Sequence, residues 1–429
     1  MNVPEVVVSN PLAWPEIRFR YLASTAKGRL PRQLSENENY KTSDVPYLSM
    51  EYLRGDEKAR YFVSPDNLLL AGASDILLLW DGSNAGEFLK AKYGAISSTM
   101  ALVRPFKLAN NYLFWLCKAV EPIIKIFTNG MGIPHVDGEF LNNLRMPCAP
   151  DSKGQYLIAD YLDRETLRID ALVAEKQSML ALLEEKRAAL ISRAVTRGIN
   201  PAVEFKPSGI DWLGDIPTHW RIFRLKFVLE TLDQGSSPVA ANLPASLDEL
   251  GILKLSAVSK GRFKRNENKA LKESDGNNEE LSLRKGDVLI TRGNTPELVA
   301  DVAFVPCDEP NLLLPDLIYR LRVRSDLILP DFLTYFLITQ KARVQIRRDA
   351  RGSSGSMVKV SQGHVLDWQV PLPPIVDQIA IVDQIQAAES RFQSIWGNLS
   401  KSITLLSERR TALITAAVTG QISVEEMTT

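Results

Sequence analysis

The sequence predicts an α+β chain: two α/β domains, each followed by a long helix of coiled-coil character, with an internal pseudo-two-fold repeat. Three observations predict it. Residues 182–199 (LLEEKRAALISRAVTRGI) return at 405–422 (LLSERRTALITAAVTGQI), with 11 of the 18 positions identical. The offset, 405 minus 182 or 223 residues, is far too long for a solenoid or propeller unit, so each copy is a whole domain plus a shared segment. Finally, the shared segments carry apolar heptads, while the stretches before them carry short β-rich runs.

In chain order, residues 1–150 form a first domain, 151–206 a helical spacer, 207–374 a second domain and 375–429 a C-terminal helix. The halves align at several points. Trp14 followed by IRFRYL resembles Trp220 followed by RIFRLKFVL, and Gly28-Arg-Leu-Pro31 parallels Gly235-Ser-Ser-Pro238. VPYLSMEYLRG (45–55) parallels ILKLSAVSKG (252–261), and SDILLLWDGS (74–83) parallels GDVLITRGNT (286–295). Pro147 and Pro150 match Pro371 and Pro374; Gln155, Ile158, Asp160 and Leu162 match Gln378, Ile381, Asp383 and Ile385. Runs such as DVLITRG, DVAFVP and LIYRLRV are β-rich and bounded by Gly, Asp or Pro, as strands are. Residues 330–347 read as a helix with Pro330 near its start. Residues 111–127 hold the equivalent place, and Pro122 is expected to kink or shorten that helix.

The tails differ in kind. Ile385, Phe392, Leu399, Leu406 and Leu413 fall seven apart, with Ile395 offset by three. Leu162, Ile169, Leu183 and Leu190 hold the same phase, with Leu172 and Met179 in the second seam position and Lys176 interrupting the first. Such heptads predict helix pairing, and about 40 residues at ~1.5 Å rise span roughly 60 Å. Two separate amphipathic surface helices are the alternative; the matched phase favours pairing.

Composition bounds the function. Apolar content of 45% and charged content of 24% suit a folded domain protein. With 51 basic and 51 acidic residues, any nucleic-acid surface must come from local clustering. No apolar run approaches the roughly 20 residues that span a bilayer. The N-terminus lacks the features of a secretion signal, so a cytoplasmic location is expected. Cys117, Cys148 and Cys307 read as buried reduced thiols, and the three histidines are too scattered for a metal site. There is no GxxxxGK[ST] loop, no Asn/Asp-Pro-Pro-aromatic methyltransferase motif and no Gly-rich adenosylmethionine loop, which is the pattern of a non-catalytic subunit.

PSGIDWLGDIPTHW (207–220), VPLPP followed by Gln378 (370–378), the closing ERRTALITAAVTGQI and the two-fold repeat together resemble the specificity (S) subunit of type I restriction-modification systems. The resemblance spans essentially the whole chain, although the first half keeps only NPLAW where the second has the full PSGI-x-W-x-G opening. It implies that the α/β domains are target-recognition domains, each reading one half of a bipartite DNA site, and that the two helices are antiparallel and act as a ruler between them. It also implies double-stranded DNA, two methyltransferase (M) subunits and, through the M–S core, restriction (R) subunits as partners. S-adenosylmethionine, ATP and Mg would then be bound by those partners and no cofactor by this chain. The rival reading is a non-catalytic coiled-coil scaffold whose globular domains bind protein rather than DNA.

Candidate DNA-contacting residues follow from local charge. KGRFKRNENKALK (260–272) offers Lys260, Arg262, Lys264, Arg265, Asn266 and Asn268 just after a predicted strand. A second basic cluster, Lys341, Arg343, Arg347, Arg348 and Arg351, runs into GSSGSMVK, expected as a flexible loop. In the first domain Lys27, Arg29, Arg32 and Lys41 flank the Gly28–Pro31 turn, and a loop carries Asp81, Ser83 and Asn84. The counterpart of that loop is Arg292, Gly293, Asn294 and Thr295, and His135 and Lys359 hold equivalent places after Gly-rich segments. Arg and Lys suit guanine edges and phosphate, and Asn suits adenine. The plainer alternative for each cluster is a solvated charged loop.

Overall fold

The computed structural model describes residues 14–36, 40–55, 58–130, 132–271, 279–354 and 357–428. Residues 10–13 of the NPLAW stretch, Lys272 of the basic run, and Gly355 and Ser356 of the Gly/Ser segment lie outside them. The chain divides into two compact units, Met1–Gln177 with Ser400–Thr429, and Ser178–Leu399. Each unit therefore contains one α/β domain and a portion of both long helices, Ser152–Arg197 and Ile375–Val418.

The first unit is built on a four-stranded antiparallel sheet in the order Ala23–Lys27, Met100–Pro105, Ile76–Leu79, Phe88–Lys90. The second repeats that order with Leu229–Gln234, Ile318–Val323, Val288–Thr291 and Val302–Phe304, and extends it with Gly261–Phe263 and Val258–Ser259. Ile76–Leu79 and Val288–Thr291 are buried at every position. That explains their continuous apolar runs, since a strand covered on both faces has no polar alternation.

Both domains close in the same way. Glu16–Arg18 pairs with Arg145–Pro147, and Arg221–Arg224 pairs with Gln369–Leu372, immediately before each long helix. The aligned glutamines then fix the junction. Gln155, 7% exposed, donates from Nε2 to the Ala149 carbonyl. Gln378, fully buried, donates to the Pro373 and Leu327 carbonyls and accepts the Leu329 N–H. The aligned glycines share a cause too. A Cβ on Gly28 would lie 2.2 Å from the Ser97 oxygen, and one on Gly235 would lie 1.6 Å from the Leu314 oxygen. In each domain the chain leaves its first sheet strand against a backbone that tolerates only hydrogen there.

Helix pairing runs antiparallel within each unit. In the first, Ile158, Ala159 and Leu162 share a core with Ile414, Ala417 and Val418, and Asp170 faces Arg410 further along. In the second, Ile191, Ala194 and Val195 share a core with Ile381, Val382 and Ile385, and Arg187 faces Glu389. Leu162, Ile169 and Ile385 are buried, and Leu183, Leu190, Phe392, Leu399, Leu406 and Leu413 are half-buried. The second seam is different from expectation: Leu172, Met179 and Ile395 are exposed. Two helices that also lean on a domain bury a narrower stripe against each other than a free coiled coil does.

Four further expectations are corrected. Residues 330–347 are two helices, Pro330–Leu337 and Gln340–Asp349, because Thr339 takes extended dihedrals and caps the second by accepting the Ala342 N–H. The helix Asn110–Ile126 instead runs through Pro122 unbroken. Arg351–Ser354 and Met357–Lys359 are paired strands, so most of the expected flexible segment is sheet. Cys307 is exposed, whereas Cys117 and Cys148 are buried. Among the described residues no helix is long and apolar enough to cross a membrane.

Candidate nucleic-acid interface

In the second unit, Val288–Thr291 ends at Arg292, whose N–H bonds to the Leu317 carbonyl while its carbonyl accepts the Val360 N–H. The chain continues as Gly293–Asn294, which pairs with Met357–Lys359, itself paired with Arg351–Ser354. This small three-stranded sheet brings Asn294, Arg351 and Lys359 together, Gly293 opposite Lys359 and Arg351 opposite the same residue. Lys359 and Arg351 are exposed and Arg292 is half-buried. Burial pushes the Tyr319 hydroxyl up, and the Arg292 guanidinium hydrogen-bonded beside it works against that shift.

The first unit repeats the arrangement. Trp80, at the position of Arg292, receives the Val136 N–H on its carbonyl, and Asp81 bridges to His135 as Gly293 does to Lys359. The loop beyond Asp81 exposes Ser83 and Asn84, and His135 is exposed. Lys27, at the end of the edge strand, forms an ion pair with Asp81 at 2.7 Å, so part of its charge is neutralised locally. Arg29, Arg32 and Lys41 converge on one open cleft of about 610 Å³, with Gln33, Ser64 and Asn67 among its other walls. Sequence reasoning did not single out Gln33 or Asn67. The signal was present in Ser-Pro-Asp-Asn (64–67), a turn sequence in which Asn67 takes φ +61°.

The 260–272 run is only partly available. Lys260, Arg262, Lys264 and Asn266 are exposed. Arg262 lines a small cavity with Leu183, Glu184, Phe392 and Trp396 of the long helices. Arg265 is ion-paired to Glu309 at 2.9 Å. Asn268 is buried, accepting the Ala245 N–H and donating to the Arg265 carbonyl, and so is corrected to a structural residue.

The 341–351 cluster also divides. Arg347 and Arg348 are exposed, with Arg348 beside Asp349. Lys341 donates to the Leu213 carbonyl, and burial holds its ammonium below the usual lysine range, with Arg197 adding to the effect. Arg343 is 8% exposed and committed to backbone carbonyls. These two are therefore corrected from free surface cations to internal ties. A helical period places every third or fourth residue of Gln340–Asp349 inward, which a count of basic residues does not register. Among the described residues no group of three or more His, Cys, Asp or Glu could hold a metal ion.

Two α/β domains of matching topology thus carry basic and amide side chains at the same place in the repeat, exposed at Asn84, His135 and Lys359 and half-buried at Arg292 and Asn294. The family described as the type I restriction modification DNA specificity domain matches residues 13–179. Along most of its length the chain is also similar to specificity subunits of type I restriction-modification systems. The type I restriction enzyme MjaVIII specificity subunit of Methanocaldococcus jannaschii is 27% identical over 425 residues, covering 97% of this chain and 95% of that protein. The EcoKI specificity subunit of Escherichia coli K12 is 22% identical over 406 residues, covering 91% and 81%. A solved structure described as the structural basis underlying complex assembly and conformational transition of the type I R-M system has the same fold. Its TM-score is 0.69 at 14% identity, over 97% of this chain and all of that one.

Proposed function

We propose that this chain reads the two halves of a bipartite duplex target, one with each α/β domain, and performs no chemistry itself. The observation that carries the reading is the matched placement of Asp81–Asn84 with His135 in one domain and Arg292–Asn294 with Lys359 in the other. Two loops at one place in a repeat, differing in side chains, suit two different half-sites on one non-palindromic target. Arg29, Arg32, Lys41, Arg351 and Lys359 supply the phosphate-directed charge, and Arg292, Asn294, Asn84 and Ser83 the groups that suit base edges. Lys260, Arg262, Lys264, Asn266, Arg347 and Arg348 are secondary phosphate contacts in this reading.

The long helices recruit two methyltransferase subunits, and restriction subunits through them, so that S-adenosylmethionine, ATP and Mg act in the partners. Duplex binding across a salt series tests the reading. A DNA reader loses affinity steeply between low and moderate salt, whereas a protein-binding scaffold has no salt-sensitive duplex affinity. Methyl transfer by the isolated chain is expected to be nil, and mapping methylated adenines in the host genome would give the target.

A further inference from the structure

We propose that Arg343 and Asp301 are positioning residues that hold the reading loop after Val288–Thr291 in its DNA-ready shape by clamping a left-handed turn at Ala300. The inference rests on the proposal that this loop reads DNA.

Residues 295–300 form a turn in which the Leu298 and Val299 N–H groups both reach the Thr295 carbonyl, at 3.0 and 2.8 Å. The turn ends at Ala300, which is 1% exposed and has φ +53°. A side chain with a Cβ is disfavoured there, and such a conformation persists only when its surroundings over-determine it. The surroundings are visible. The Arg343 guanidinium donates to the carbonyls of Glu297 (3.0 Å), Ala300 (3.4 Å), Pro296 (3.5 Å) and Val299. Carbonyls at the end of a helical turn have no internal partner and favour a cation. One rigid fork answers four of them.

Asp301 ties the other side. Its carboxylate accepts the N–H of Lys260 at 2.9 and 3.0 Å and that of Val302 at 2.9 Å. Lys260 has φ +48°, a second left-handed non-glycine residue held by the same knot. Thr291, the last strand residue before Arg292, accepts the Asp301 N–H on Oγ1 and donates to the Leu298 carbonyl. The loop from Arg292 to Val299 is therefore pinned at both ends to one polar cluster, with Thr295 exposed between. A cavity of about 750 Å³ borders Lys260, Ala300, Asp301 and Arg343. Val299 and Ala300 pack into the core of the domain on the other side, so on the cavity side the Arg343 and Asp301 hydrogen bonds complete the hold on the turn. Burial raises the Asp301 carboxyl above its ordinary range, against the opposing N–H donors and cations. A loop fixed before it meets DNA avoids the ordering cost at binding.

The test is rescue. The full chain is offered a pool of randomised duplexes, and bound sequences are read out as base preference at each half-site. R343K keeps the charge but cannot reach four carbonyls. It should lose roughly tenfold preference at the second half-site, the scale of one base contact, and none at the first. A300G alone should leave both preferences unchanged. R343K/A300G should recover most of the loss, because glycine adopts the turn without a clamp. Unchanged second-site preference in R343K, or no recovery in the double variant, would overturn the proposal. Should R343K fail to fold, D301N is read in its place, and unchanged second-site preference in it would count equally against the proposal. N294A and R292A separate the two levels: if neither alters second-site preference the DNA reading of the loop falls, and if they do while R343K does not, only the clamp falls.

Discussion

Arg187 and Arg410 occupy the same position of the repeated segment, and each forms an ion pair with a carboxylate on the other long helix. Arg187 pairs with Glu389 with 8% of its side chain exposed, and Arg410 pairs with Asp170 with 29% exposed. Glu389 also accepts a hydrogen bond from the Tyr335 hydroxyl of the second domain, whereas Asp170 is 52% exposed. The repeat thus uses one arginine in two electrostatic settings.

The two positions should respond differently to truncation. R187A leaves the Glu389 carboxylate half-enclosed, with Tyr335 as its remaining donor among the described residues, and is expected to cost about 3 kcal/mol. R410A breaks a solvated pair and should cost about 1 kcal/mol or less. Urea denaturation of the two variants measures the difference; equal costs would contradict the asymmetry.

Leu162 and Ile385 are aligned in the repeat and fully buried. Leu162→Ala and Ile385→Ala are each expected to lose about 2–5 kcal/mol through lost transfer and cavity terms. Leu399, half-buried in the same heptad phase, should lose distinctly less on the same change. Denaturation midpoints at constant m-value give the ranking.

A pH dependence is expected from Glu121. Burial works to raise its carboxyl, but Lys118, Lys125 and the Phe88 N–H outweigh it and hold it below the ordinary carboxylate range. A depressed folded value contributes stability that is present above the unfolded value, about 4.3, and is lost as pH falls through the folded one. E121Q should be less stable than the parent at neutral pH, and the gap should close in acid. Chemical denaturation at several pH values reads it; a constant gap would contradict the assignment.

Neutralising the cleft of the first domain should act through phosphate rather than sequence. R29Q and R32Q are each expected to shallow the slope of log affinity against log salt by about one, with half-site preference kept. Arg292→Ala should instead relax preference at the second half-site. Fluorescence anisotropy across a salt series, with sequencing of bound duplexes, distinguishes the two behaviours.

Much of the architecture was legible because the repeat is written in residues that backbone geometry demands. Gly28 and Gly235 stand where only hydrogen fits, and Gln155 and Gln378 stand where buried carbonyls need a donor. The matching of Asp81 and His135 with Gly293 and Lys359 could be read from spacing alone, because each pair flanks a strand end and a Gly-rich return. What the sequence hid depends on long-range partners. Thr339 breaks a helix that propensity would continue, since its hydroxyl caps the next turn. Arg343 looks like one more surface cation until the 296–300 carbonyls are brought to it by the fold. Leu172 and Met179 keep a heptad phase without being covered, so periodicity alone overstated the width of the seam.

The glutamine junctions carry one more consequence. Gln155 and Gln378 grip main-chain oxygens, of Ala149 in one case and of Pro373 and Leu327 in the other. A carbonyl is the same whatever side chain hangs beside it. The fastening between domain and helix is therefore indifferent to most of the domain's own sequence. A lineage could replace the entire surface of either domain, and so its target, while the mounting stayed in register.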